Sequence, residues 1–260
     1  MTKLSIGQAW SETVEVVKRN GRLIVPVALA FAVIPATLFA LAVPPVPAGQ
    51  IREPGLWMVL YPLMILVALI GQMAIMRMAI GPAASVGEAI RHALRRSPSV
   101  IGAALMFALP AAAILVPAAV PLLANPTSPP PAASLVFSVA FIIALCLWVR
   151  LMLMTASGVA EAIGPVAIVK RSWALTRGNF WRLLAMTLLF GMVAWIAISA
   201  VEWVTGSMLI VALGKPEPWS VSALLIALIG TIAQTIASVL FAVLLARIYV
   251  QLARPGSKGT

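Results

Sequence analysis

Six apolar runs constrain this chain more than any other feature: Leu23 to Val43, Leu56 to Met76, Val100 to Leu123, Ala132 to Val149, Leu183 to about Val204, and Val221 to Ala246. Each approaches the roughly 20 residues that a helix needs to cross a hydrocarbon layer about 30 Å thick. In lipid every backbone N–H and C=O must be satisfied internally, which leaves helices and closed barrels. The runs lack the period-two alternation of barrel strands, so they predict helices. A soluble core would have to hide all six runs at once. With 62% apolar residues, 10% charged residues and a mean hydropathy of +1.08, the chain has too little polar surface for that. The expected fold is an all-α integral membrane protein with six transmembrane helices, a single polytopic domain over 1–260 with the bundle itself at 23–246.

Charge orients the spans. Lys and Arg number 18 against 7 acidic residues, all Glu, for a formal net charge of +11. The stretches Pro44 to Gly55, Asn125 to Pro131 and Gly214 to Ser220 contain only Arg52 and Lys215 among the basic residues. The others lie before the first span, between the second and third, between the fourth and fifth, or after the sixth. Such asymmetry predicts cytoplasmic termini, with 247–260 as a cytoplasmic tail. Trp57, Trp203 and Trp219 then fall near the outer interface, and Trp10, Trp148, Trp173 and Trp181 near the inner one. Anionic lipid headgroups explain basic residues at span ends more simply than nucleic acid does, so no nucleic-acid partner is expected. The first 22 residues lack the order of a cleavable signal, and the mature chain is expected to begin at or near Met1. Cys146, the single cysteine, excludes an intrachain disulfide.

Three stretches are alike: SIGQAW at Ser5, SVGEAI at Ser85 and AIGPVAI at Ala162, with glycines at 7, 87 and 164 spaced by 80 and 77 residues. Each precedes basic residues and then a span. A unit of one cytoplasmic helix plus two spans, used three times, is the expected repeat. Amphipathic interfacial helices are predicted over 1–22, near 85–97 and near 163–180. In the first, Ile6, Trp10, Thr13 and Val17 form a stripe opposite Lys18 and Arg19; in the third, Val166, Val169, Trp173, Thr176 and Phe180 oppose Lys170, Arg171 and Arg177. In the middle one, Val86, Ile90 and Leu94 stand against Arg91, Arg95 and Arg96, and a solvated linker accounts for it equally well. A Trp-bearing apolar stripe beside a basic face lies among headgroups, so Lys170, Arg171, Arg177, Arg182, Trp173, Trp181, Lys18 and Arg19 are candidate lipid contacts.

The stretch EAIGPVAIVKRSWALTRGNFWRLLAMTLLF, Glu161 to Phe190, resembles the glycerophosphoryl diester phosphodiesterase membrane-domain family. Gly164-Pro165, Lys170-Arg171-Ser172-Trp173, Leu175-Thr176-Arg177-Gly178 and Phe180-Trp181-Arg182 carry the likeness. The opening LSIGQAW and the closing ARIYVQL are similar to bacterial members that consist of the membrane part alone. The resemblance implies a bacterial cytoplasmic-membrane protein without the soluble domain that hydrolyses glycerophosphodiesters. That hydrolysis needs acidic residues and histidines around a divalent metal; a chain with no Asp, one His at 92 and seven scattered Glu does not build such a site. No cofactor and no enzymatic activity are expected.

Polar residues inside the runs are few. Glu202, near the outer end of the fifth, is expected to reach interfacial water, with ion coupling as the alternative. Gln72 and Gln234 suit hydrogen bonding across helices. Arg77, Arg150 and Arg247 recur at the cytoplasmic ends of the even spans, placed to snorkel to phosphates. His92 is expected to be an exposed helix residue. Ala104, Ala108 and Ala112, or Ser238, Ala242 and Ala246, have the spacing of close helix contacts. A non-catalytic module that binds anionic lipid or a membrane partner is the leading functional expectation, with a transporter or channel second.

Overall fold

The computed structural model of the protein describes residues 4–43, 55–81, 85–124, 128, 130–217 and 219–253. In chain order it contains α1 (Ile6–Ala28), a π-helical turn (Leu29–Val33), α2 (Ile34–Ala42), α3 (Trp57–Ile80) and α4 (Val86–Ala124). There follow α5 (Pro131–Leu151), α6 (Met154–Ala160), α7 (Pro165–Thr176), α8 (Phe180–Leu213) and α9 (Val221–Ala253). No strand occurs among the described residues. Six stretches are long and apolar enough to cross a membrane: Ile6–Ala42, Trp57–Ile80, Val86–Leu122, Pro131–Ala160, Phe180–Leu213 and Val221–Ala253. The protein is an all-helical, multi-pass membrane protein. Arg52 and the tail beyond Ala253 lie outside the described residues.

Two of the basic segments do not form helices of their own. Ile6–Ala42 runs on as 37 helical residues, about 55 Å at 1.5 Å per residue and far longer than a bilayer core. Gly21, with a helical cost of only ~1 kcal/mol, does not break it. Likewise α4 includes both 86–97 and the third span. Pro98 removes the donor that the Leu94 carbonyl would meet, and the Ser97 hydroxyl supplies one at 3.0 Å instead. Only the third segment stands apart, as α7, because Gly178 adopts φ +89° in the turn before α8.

The recurring glycine motif marks helix starts. The Ser5 hydroxyl accepts from the Gln8 N–H at 3.4 Å. Ser85 and Glu88 form a reciprocal capping box, with the Ser85 N–H donating to Glu88 Oε2 at 3.0 Å and the Glu88 N–H to Ser85 Oγ at 3.3 Å. Gly164 caps α7, and Pro165 occupies its first turn, where a missing N–H costs nothing.

The faces of these segments differ from the expected stripes. Ala9, Thr13 and Val16 are buried on α1, and Ala89, Ala93, Ser97 and Val100 on α4, whereas Ile6, Trp10 and Leu94 are exposed. On α7, Ile168, Ser172 and Thr176 are buried while Val166 and Trp173 face outward with Lys170 and Arg177. Close approach decides this. A Cβ on Gly158 would come within 2.5 Å of Val100 Cγ2 and 3.1 Å of Ile168 Cδ1, so only glycine admits both helices. Small residues fit this crowded side and large ones are turned away from it.

Helix α9 is central, packing on α1, α3 and α8, while α3 also packs on α4 and α4 on α5. The fully buried side chains, among them Met73, Met76, Leu153, Ile168, Leu183 and Ile248, gather at one end of the bundle. Gly71 lets α3 meet Phe31 at the π-helical turn, where any Cβ would collide with the Phe31 Cβ. Toward the other end the helices present bare apolar surface, with Trp195 70% and Val211 89% exposed.

Candidate functional site

Every described Lys and Arg except Lys215 belongs to the tightly packed end, where both ends of the described chain also lie. The N-terminal strand of contacts begins at Leu4, whose N–H donates to Asn179 Oδ1 at 3.2 Å and whose carbonyl accepts from Arg182 Nη1 at 3.0 Å. Glu12 receives Arg247 through Nε at 2.8 Å and Nη2 at 2.5 Å, and Arg247 Nη1 also donates to the Ala79 carbonyl at 3.3 Å. Glu161, between α6 and α7, accepts from Arg171 Nε at 2.8 Å and from the Tyr249 hydroxyl at 2.6 Å. The hydrogen bond to Glu161 raises the Arg171 guanidinium above its ordinary value, against the opposing effect of burial.

Two of the three span-end arginines, Arg247 and Arg150, are engaged within the protein. Arg247 is in the Glu12 pair. The Arg150 guanidinium lies 5.2 Å from the Trp173 ring centre and 5.1 Å from that of Phe180, and the Arg150 carbonyl accepts from Ser172 Oγ at 2.9 Å. Arg77 extends toward the C-terminal end of α3, its Nη1 2.7 Å from where a Cβ on Gly81 would stand. His92 is likewise not a free surface residue: its Nε2 donates to the Val159 carbonyl at 2.8 Å, tying α4 to α6. The partners of Arg247, Arg150 and His92 lie on other helices, so span position alone suggests only snorkelling for the first two.

Of the candidate headgroup contacts, Lys170, Trp173, Arg177, Trp181, Arg182, Lys18 and Arg19 are exposed. Arg19 makes only a 4.0 Å contact with Glu15. Arg171 is half-buried and held by Glu161, which removes it from the outward set. Trp181, 76% exposed, stands edge-on to Phe180 at 5.3 Å.

Glu202 is exposed on α8 and does not stand at the end of that helix. Helix α8 continues past it to Leu213, because Thr205 and Ser207 return their hydroxyls to the Val201 and Trp203 carbonyls instead of breaking the helix. Gln234 Nε2 donates to Glu202 Oε1 at 3.4 Å. Gln234 stands midway between Val221 and Arg247 on α9, about 20 Å from each. One turn away on α9, Thr231 shares a 2.8 Å hydrogen bond with Thr37 of α2. Gln234 bridges helices, while the Gln72 side chain makes no hydrogen bond among the described residues. Gln72 instead lines an open-sided cavity of about 630 Å³ between α3, α4, α5, α6 and α9. Among the described residues no three His, Cys, Asp or Glu are grouped so as to hold a metal ion.

These features define a class: a six-span helical membrane protein whose polar contacts and packed core are concentrated at its basic end. Within that class the chain belongs to the family described as Domain of unknown function (DUF7847), whose model matches residues 4–252. No curated protein and no solved structure matches the chain.

Proposed function

We propose that the protein is a non-catalytic module of the bacterial cytoplasmic membrane, with both termini cytoplasmic, that binds anionic phospholipid through its basic end. The polarity of α7 carries this reading. It buries Ser172 and Thr176 and turns Trp173, Val166, Lys170 and Arg177 outward. Water solvates the cations but not the indole, and hydrocarbon does the reverse. The headgroup layer solvates both. Exposed Ile6 and Trp10 on α1 and Leu94 on α4 support the same interfacial placement, and the serine caps at Ser5 and Ser85, with the like glycine at 164 opening α7, support three repeats of one interfacial segment plus two spans. The likeness to the glycerophosphoryl diester phosphodiesterase membrane-domain family belongs to this proposal, as a membrane part without its hydrolase.

A basic residue near an anionic surface contributes about 1 kcal/mol. Replacing Lys170, Arg177 and Arg182 together with Gln should therefore weaken phosphatidylglycerol binding by the purified protein about tenfold or more at low salt. Native mass spectrometry of lipid titrations measures this. Equal binding by the variant and the parent would defeat the proposal.

The position of Glu202 within α8 favours one second reading, a transporter whose coupling ion is carried by that carboxylate. Reconstituted vesicles of the Glu202→Gln variant should then lose solute or proton flux that the parent shows; identical flux removes ion coupling at this residue.

A further inference from the structure

The cavity of about 630 Å³ falls in the ~300–1,000 Å³ range of sites that hold one small molecule. Its walls are apolar: Ala104, Ala108, Ala111 and Leu115 on α4 face Phe141 and Ala144 on α5. Ala104 and Ala108 have the spacing of a close helix contact, yet their small side chains make room here instead. Gln72 and Thr155 are polar residues on the wall, and neither makes a hydrogen bond among the described residues. Gln72 is half-buried on this open-sided wall, and an amide facing hydrocarbon there is stabilised by a polar atom from outside the chain.

Polarity and length identify that visitor. Gln72 stands about 8 Å along α3 from Arg77, and Thr155 follows Arg150 by a little more than a turn, so both lie toward the basic end. From Ala104 to Leu115 the cavity extends about 16 Å along α4, close to the depth of one leaflet in a core of about 30 Å. We infer that this cavity holds one acyl tail of an inner-leaflet phospholipid, with the Gln72 amide donating to the ester carbonyl and the methyl end between α4 and α5. The assignment extends the lipid reading above from headgroup to tail. It makes the lipid a resident component, distinct from the exchanging lipid on the bare faces of α5 and α8.

Native mass spectrometry of the full chain, purified in mild detergent and offered phosphatidylglycerol or phosphatidylethanolamine, tests it. The parent should retain one phospholipid per chain. Gln72→Leu should lower retention severalfold and Ala108→Phe should abolish it, with thermal unfolding reporting whether each variant is folded. Should Ala108→Phe fail to fold, phospholipid bearing a mid-tail diazirine provides the second measurement: adducts should fall on residues 104–115 and 141–148. Retention unchanged in folded variants, or adducts spread evenly along α8, overturns the inference. The two proposals separate by headgroup. Phosphatidylethanolamine retained as well as phosphatidylglycerol leaves the tail site standing while the anionic reading falls; charge-dependent binding with no Gln72 or Ala108 effect does the opposite.

Discussion

Single residues at the basic end differ sharply in what they hold. Arg247 and Glu12 have side chains only 17% and 21% exposed, and removing the Glu12 carboxylate would leave the Arg247 guanidinium as a mostly buried charge without its counter-ion. Breaking such a pair costs about 3–5 kcal/mol. Glu12→Gln should accordingly lower stability by roughly 3 kcal/mol, read as an earlier thermal unfolding transition in detergent. Arg19 and Glu15, 68% and 74% exposed and 4.0 Å apart, serve as the contrast. Arg19→Gln should change stability by less than about 0.5 kcal/mol, since exposed i,i+4 pairs are worth about that little. Equal effects of the two substitutions would mean that Glu12 and Arg247 do not clamp α1 to α9. Arg150 follows another logic, its guanidinium lying over the faces of Trp173 and Phe180 with one nitrogen buried and without a hydrogen bond among the described residues.

Among the elements, α7 is the one whose separateness matters for the proposed lipid face. Were residues 165–213 one straight helix, Trp173, Lys170 and Arg177 would continue along the line of α8 instead of turning back beneath α5. Gly178 makes the turn at φ +89°, a region that costs an ordinary L-residue about 1–2 kcal/mol. Gly178→Ala should destabilise by that amount and loosen the Leu4–Asn179 contact, seen as faster amide exchange at residues 4–9. A variant as stable as the parent, with unchanged exchange, would show that the turn is not set by glycine. The continuous α1 and α4 illustrate the opposite case. Prolines 26, 35 and 98 lie within helices that carry on; beside Pro98 the Ser97 hydroxyl takes over the lost bond, and Pro35 directly follows the π-helical turn.

Over the whole molecule, packing density and charge run together. The basic end is tightly packed by α6, α7 and the inner turns of the spans, while the other end is loose and apolar. In the proposed orientation this places the packed, charged end in the cytoplasmic leaflet. With Cys146→Ser as background, Lys215→Cys should react with a membrane-impermeant maleimide in intact cells, and Arg91→Cys only after lysis. Labelling in the reverse order would invert the orientation, and with it the leaflet of both proposed lipid contacts.

The membrane class, the six spans and the unequal charge of the two ends were legible from the amino-acid sequence because each is a sum over neighbouring residues. Hydrophobicity of a 20-residue window and the Lys and Arg content of a loop do not depend on what packs where. The site was less legible. Which face of α7 is buried depends on Gly158 and Val100, and the inward turn of Arg247 depends on a carboxylate 235 positions away. The position of Glu202 within its helix depends on whether Thr205 to Ser207 remain helical, and its contact on where α9 places Gln234. The cavity at Gln72 exists only because four spans leave a gap that alanines do not fill. Such properties are set by contacts between distant segments, and only the assembled bundle decides them.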